Sequence, residues 1–395
     1  MTRETEDGVR SLLVLNCGSS SLKYDVFTWP EGPDERPARV TTGVVREIGR
    51  PEAPDHEAAL HVALEQLHDE GPGLDALAAV AHRVVHGGPD LSDPVVVDER
   101  VLRMIEEAAV LAPLHNPPAL AGIRAVRDRW PEVPQVAVFD TAFHRTLPPA
   151  ASTYALPRDL AERHHLRRWG FHGISHEYVT RTSAATLGLP TDEVRLVICH
   201  IGNGVSVTAV RDGRSIDTSM GFTPMDGAVM GTRTGSLDPG VVFHLARRTG
   251  LSLDDLEDLL LHESGMRGLC GDSDLQRVRE RADAGDAEAV AALAVYTHRL
   301  RAFVASYLGQ LPGLHAVVFT AGVGEHDPAL RAEVIGPLAH LGLELDAAAN
   351  RDVVGARGGP ARIDTGRGPA VLVVPTDEGA EVARQAQSVL RGQSC

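Results

Sequence analysis

Four consecutive apolar residues, Leu12–Leu15, run into the polar string Asn16-Cys17-Gly18-Ser19-Ser20-Ser21-Leu22-Lys23, after which Tyr24-Asp25-Val26-Phe27 resumes. An apolar run bounded by turn residues and followed by a mixed run predicts strand, tight turn, strand. The arrangement returns in the second half. Leu196–His200 is apolar up to its last residue, Gly202-Asn203-Gly204 forms a turn, and Val205–Val210 runs back in alternation. Two strand–turn–strand openings, near Leu12 and Leu196, predict one α/β unit present twice.

Between and after them, periodicity predicts helices at His56–Leu67, Val101–Leu111, Pro118–Arg129, Ser175–Leu187, Val241–Thr249, Leu253–Leu261, Ala287–Gln310 and Glu378–Leu390. Buried strands are expected at Leu77–Val85, Val136–Phe139, Ala316–Phe319 and Val371–Val374, the last two each followed by a polar or glycine turn. Alternation of this kind indicates layered α/β structure. Pro30–Pro37 and Val354–Pro369 read as surface loops, and a domain boundary is expected near Ala150–Pro157, where prolines flank small and polar residues.

Composition narrows the classes. A chain of 395 residues with 43% hydrophobic content is long enough for two domains with substantial cores. A net charge of −16 without a basic run argues against nucleic-acid binding. It also means that an anionic substrate must be held by local cations against an unfavourable overall field. Cys17, Cys199, Cys270 and Cys395 show neither metal nor redox spacing, so they read as reduced thiols of a cytoplasmic protein. The acidic start, Met1–Asp7, is unlike a signal peptide, and no apolar run approaches membrane-spanning length. Only one lysine occurs, Lys23, beside the Gly18–Ser21 turn. A compact ammonium next to unhindered amides and hydroxyls suits an anion.

Polar residues gather where predicted strands end, which is where open α/β sheets bind ligands. Arg83, Asp140, His200 with its Gly202/Gly204 turn, Gly322-Val323-Gly324-Glu325, and Thr376-Asp377-Glu378 all occupy such positions. Arg168-Trp169-Gly170-Phe171-His172-Gly173 sets a histidine between glycines before a helix that Ser175 could cap. Asp217–Gly240 is a long glycine-punctuated loop carrying Arg233, a loop type that is usually functional. Taken singly, His172 reads as a buried structural histidine and Arg233 as a surface ion-pair partner.

The strings Asn16-x-Gly18-Ser19-Ser20-Ser21-x-Lys23 and Asp217-Thr218-Ser219-Met220-Gly221-Phe222-Thr223-Pro224 resemble the two signatures of the acetate kinase family. Further strings that follow this family in order are Arg83–Gly88, Leu114–Pro117, Phe139–Phe143, Gly170–Gly173 and Thr320–Glu325, so the similarity covers roughly Ser11–Gln387. The resemblance implies an α/β fold of two RNase H-like (actin-like ATPase) domains with a catalytic cleft between them, usually in a homodimer. One domain would span 1–152, completed by a C-terminal helix at 379–395; the other, nucleotide-binding, would span 153–378. It implies phosphorylation of acetate by ATP, giving acetyl phosphate and ADP by direct in-line transfer, with Mg²⁺ or Mn²⁺.

By the same resemblance, Asp140, His172 and Arg233 match catalytic positions, and Asn16 and Glu378 match the metal-binding pair. Arg83 matches the carboxylate-binding arginine; Val85, Leu114 and Pro224 match the pocket for the acetate methyl. Lys23, His200, Ile201, Gly202, Asn203, Gly204, Asp274, Leu275, Gln276, Gly322, Val323, Gly324, Glu325 and His326 match nucleotide-contacting positions. The chain departs from the family at Asp274-Leu275-Gln276, where an arginine usually ends the triplet, and at His326 and Asp377, where asparagine is usual.

The chemistry fits these residue types. A carboxylate is already ionised at neutral pH, so attack on phosphorus needs no general base. Two anions must instead be brought together and their shifting charge stabilised, which suits bidentate arginines. Asp140 then orients an arginine or a hydrated metal and does not take a proton. Other readings are a propionate or butyrate kinase, a nucleotide-binding regulator of the same fold, and a phosphatase or sugar-kinase-like enzyme. A P-loop kinase is excluded, because no G-x-x-x-x-G-K-[ST] string occurs.

Overall fold

The computed structural model describes residues 10–18, 21–29, 32, 35–51, 53–70, 77–353 and 359–392, the side chains of 68–70 excepted. Ser19 and Ser20 of the first turn, the N-terminal residues 1–9, parts of the loops expected at Pro30–Pro37 and Val354–Pro369, and Cys395 lie outside the described residues. The chain forms two compact units, Met1–Ala142 with Asp377–Cys395, and Phe143–Thr376.

The first unit holds strands β1 Arg10–Cys17, β2 Ser21–Trp29, β3 Arg39–Arg46, β4 Leu77–Val84, β5 Val95–Val96 and β6 Gln135–Phe139. They form one sheet in the order β3-β2-β1-β4-β6-β5. β1, β2 and β3 pair antiparallel, β1–β4 and β4–β6 pair parallel, and β5 closes the edge antiparallel. Helices His56–Glu70 and Asn116–Arg129 bring Ala59, Leu60, Ala63 and Val126 into one core with Leu13, Leu15 and Val26. Helix Glu378–Leu390 also packs on β1, β4 and β6. A sheet covered on both faces buries every side chain of a central strand, which is why Leu12–Leu15 is apolar without alternation. Each such side chain contributes about 1.5–3 kcal/mol.

In the second unit, β7 Arg195–Ile201, β8 Val205–Arg211, β9 Arg214–Thr218, β10 Ala316–Thr320, β11 Ala361–Arg362 and β12 Ala370–Val373 form a sheet in the order β11-β12-β10-β7-β8-β9. The antiparallel trio β7–β8–β9, the parallel pairs β7–β10 and β10–β12, and the antiparallel edge β11 repeat the first sheet strand for strand. The recurrence seen in the sequence is therefore a recurrence of topology. The fold is α/β, two RNase H-like units of the actin-like ATPase type.

Several elements differ from their sequence-based bounds. The helix expected at Val101–Leu111 runs Glu99–Ala108, because Asp98 caps it by accepting from the Val101 N–H at 2.7 Å. Ser175 is not a cap: the helix begins at Gly173, with His172 as its N-cap residue in the left-handed conformation (φ 58°). β10 reaches Thr320 and is followed directly by a helix, Ala321–His326, where a glycine turn was expected. Edge strand β3 and strand β9 carried too many polar residues to be read as strands.

A candidate phosphoryl-transfer site

In the first unit, parallel pairing of β1, β4 and β6 aligns three strand ends. Asn16 lies next to last in β1, Arg83 next to last in β4, and Asp140 follows β6, its N–H donating to Val84 O at 3.0 Å. Glu378 opens the helix Glu378–Leu390, whose N-cap is Asp377. These four residues meet. The Arg83 guanidinium donates through Nη2 to Asp140 Oδ2 and through Nη1 to Asn16 Oδ1 at 3.2 Å, while its Nε lies 3.7 Å from Glu378 Oε2. Burial works against the charge of Arg83, yet Asp140 and Glu378 hold its pKa above the ordinary arginine value. Glu378 is pushed above the usual carboxylate range, first by burial, with Asp140 adding to the effect and Arg83 and Lys23 opposing it.

Two buried atoms of this cluster, Asp140 Oδ1 and Arg83 Nε, have no hydrogen-bond partner. A native site seldom leaves such atoms unmatched without a ligand or water to meet them. Lys23 is exposed on β2, opposite Asn16 in the ladder. Val85 is half-buried just past β4, and Leu114 is exposed in the turn after helix Glu99–Ala108. Among the described residues no three His, Cys, Asp or Glu side chains gather as a metal cage. Asn16 and Glu378 offer oxygens only, which fits a magnesium ion that keeps most of its waters.

In the second unit the β7–β8 hairpin is closed by the Gly202 N–H donating to Gly204 O at 3.0 Å. A Cβ on Gly204 would lie 3.3–3.5 Å from His172 Cε1, His172 Nε2 and Arg233 Nη1, so the glycine turn approaches both residues closely. His172 is half-buried, its ring stacked on His200 with centroids 4.1 Å apart. Arg233 donates to Pro224 O at 3.1 Å, and burial lowers its pKa. Its loop is pinned at several points. Gly231 N–H donates to Asn203 O at 3.1 Å, and the Met266 and Arg267 amides of helix Gly265–Cys270 donate to Met230 O and Gly231 O. Arg168 Nη1 donates to Thr218 O, Ser219 O and Met220 O at 2.8–3.2 Å.

The other expected nucleotide positions also lie in this unit. Ile201 ends β7, and Gly322, Val323, Gly324, Glu325 and His326 form the helix after β10, with Glu325 Oε1 accepting from the Thr376 N–H at 3.1 Å. Asp274 caps the helix Leu275–Asp283, where Gln276 donates to Glu280 and Arg277 makes a bidentate pair with Asp272. Sequence reasoning missed Arg331, Ser206 and His176. Arg331 is fully buried and donates through all five N–H groups to Gly324 O, Glu325 O, Asn350 Oδ1, Asn350 O and Val353 O at 2.8–3.0 Å. The available signal for Ser206 was a polar residue at alternate positions of an otherwise apolar strand, and for His176 its place one helical turn past His172.

A twice-repeated RNase H-like sheet, with glycine turns and polar residues near its strand ends, is that of an actin-like α/β phosphotransferase. A sequence profile of the Acetokinase family matches residues 11–384. The chain belongs to the acetokinase family. It is 46% identical over 398 residues to an acetate kinase from Streptomyces avermitilis, covering 96% of this chain and 97% of that one. Among solved structures it is similar to an acetate kinase of Porphyromonas gingivalis (36% identity, TM-score 0.89, covering 96% and 100% of the two chains). It is also similar to a propionate kinase of Francisella tularensis (36% identity, TM-score 0.85, covering 95% and 98%). Among the described residues, no helix is long and apolar enough to cross a membrane.

Proposed function

We propose that this protein is an acetate kinase that reversibly transfers the γ-phosphoryl group of ATP to acetate, giving acetyl phosphate and ADP. The reading rests on one observation above all. In a chain of this family, part-buried Arg83 and buried Asp140 form an ion pair in which one guanidinium N–H and one carboxylate oxygen lack a hydrogen-bond partner. Arg83 binds the acetate carboxylate, with Val85, Leu114 and Pro224 receiving its methyl group. Asp140 keeps Arg83 charged and aimed, and takes no proton. His172 and Arg233 donate to the oxygens of the transferring phosphoryl group, where charge shifts in the transition state. The Gly202–Gly204 turn, the helix carrying Gly322–His326, Asp274–Gln276 and Lys23 hold the nucleotide. Magnesium, or manganese in its place, would be held by Asn16 and Glu378 and would neutralise charge on the phosphate oxygens when bound.

The protein is further proposed to act in the cytoplasm, supported by three buried free cysteines, Cys17, Cys199 and Cys270. A homodimer is supported by helix Pro239–Thr249, which exposes Val241 and Phe243 and buries none of its residues.

Propionate is the second reading, favoured by the equal identity to the propionate kinase structure. One methylene changes transition-state binding by only about 1–3 kcal/mol. Purified protein with Mg²⁺, ATP and acetate, propionate or butyrate decides between them by hydroxylamine trapping of the acyl phosphate. Highest kcat/KM on acetate is expected; no acyl phosphate from any of the three acids would overturn the proposal.

A further inference from the structure

His172 is part of a buried polar chain in the second unit. Its Nδ1 lies 3.0 Å from Ser206 Oγ, and that same oxygen lies 2.7 Å from His176 Nε2. His176 Nε2 is also 3.1 Å from Thr208 Oγ1, which lies 2.9 Å from Thr218 Oγ1. Ser206, His176, Thr208 and Thr218 are all buried. His176 follows His172 by one turn of helix Gly173–Leu187, and Ser206 and Thr208 share a face of β8.

The distances favour one placement of the hydrogens. A ring N–H can be shared between two oxygens as a three-centre bond. A ring lone pair is poorly matched to two hydroxyl hydrogens at once, and is repelled by a second oxygen's lone pair at such distances. His176 Nε2 therefore carries the hydrogen. This agrees with His176 Nδ1, which is buried without a hydrogen-bond partner: a bare lone pair is tolerated there, whereas a buried unpaired N–H is rare. Burial, with His144 and His200 adding, lowers the His176 pKa well below its usual value, so this ring stays neutral. Ser206 Oγ then accepts from His176. Among the described residues its own hydrogen has one partner left, His172 Nδ1. That nitrogen accepts, and a neutral His172 bears its hydrogen on Nε2.

We infer that Ser206 and His176 are positioning residues that lock His172 as the neutral Nε2–H tautomer, so that it meets a phosphoryl oxygen as a hydrogen-bond donor and not phosphorus as a nucleophile. The functional half of this statement rests on the proposed reaction. Nε2 is the ring nitrogen near Gly204 and Arg233, and once it carries hydrogen it has no lone pair to offer phosphorus. Protonating Nδ1 as well would turn two hydrogens toward one another, because the Ser206 hydroxyl hydrogen would lose its acceptor. The arrangement thus favours one direct transfer over two transfers through a phosphorylated histidine.

Side-chain ¹⁵N NMR of the full-length protein, with histidines labelled and the His172 signals assigned by His172→Asn, tests the inference. At neutral pH and without ligands, His172 is expected to show an unprotonated Nδ1 and a protonated Nε2. A protonated Nδ1, alone or in an imidazolium, overturns it. Ser206→Ala is expected to give a mixture of His172 tautomers and to lower kcat about 10- to 100-fold, with the KM for ATP within about threefold. Ser206→Thr, which keeps the hydroxyl, is expected to restore the single tautomer and most of kcat. An unchanged tautomer in Ser206→Ala overturns the role of Ser206. If that variant fails to fold, the spectrum of the unsubstituted protein still decides. That spectrum is read in the resting protein, so a failure to form acyl phosphate counts against the proposed reaction alone.

Discussion

Asp140 gives one carboxylate oxygen to Arg83 and keeps the other buried and unmatched, and this asymmetry separates a site from an ordinary ion pair. Asp140→Asn removes the charge that holds Arg83 in place, and turnover should fall about a hundredfold or more without a new inflection in the pH–rate profile. A new inflection would mean that Asp140 takes a proton. Arg233→Ala and His172→Ala each remove a donor to the phosphoryl oxygens. Each should cost about 10²–10³ in kcat while the KM for ATP moves only a few-fold. Glu378 is the opposite case, a carboxylate that the fold tolerates poorly. Its raised pKa means that the folded state binds a proton more readily than the unfolded chain, so its ionised form costs stability above that pKa. Glu378→Gln should therefore melt at or above the parent temperature at neutral pH, an advantage that shrinks as the pH falls through the carboxylate's pKa. Its acyl-phosphate formation should collapse all the same. Paired melting curves and initial rates across pH check both halves.

At the scale of elements, the sites depend on how strands and helices end. Helix Glu378–Leu390 was fully legible from its periodicity, as was the Gly202–Gly204 hairpin. The helix Ala321–His326 was not, because Gly322 and Gly324 oppose helix formation and nothing within the segment compensates. Its compensation lies just beyond the helix. Arg331 meets the carbonyls of Gly324 and Glu325 and ties them to Asn350 and Val353, burial lowering its pKa to about 10. Arg331→Met should leave these carbonyls unmatched and cost roughly 3–5 kcal/mol, measurable by urea denaturation. In whatever fraction folds, the KM for ATP should rise more than the KM for acetate. The His172 tautomer was equally out of reach of sequence, since it depends on hydroxyls from β8 meeting a histidine of another element.

At the scale of the molecule, two sheets of identical connectivity explain why strand-end residues stand out in the sequence itself: in each unit the parallel strands carry their special residues at their carboxyl ends. Composition contributed as well, by making one residue type nearly absent. Lys23 is exposed on β2, opposite Asn16, and it is the single lysine of the chain. An amine-selective reagent consequently has two targets in the whole polypeptide, this ammonium and the terminal amino group. Lys23 is thus a natural internal probe: its rate of tagging would read nucleotide occupancy of the proposed site without any engineered substitution. Saturating ATP should slow tagging at Lys23 several-fold and leave the terminus untouched, as peptide mass mapping would reveal; equal protection of both amines would mean that nucleotide does not reach this lysine.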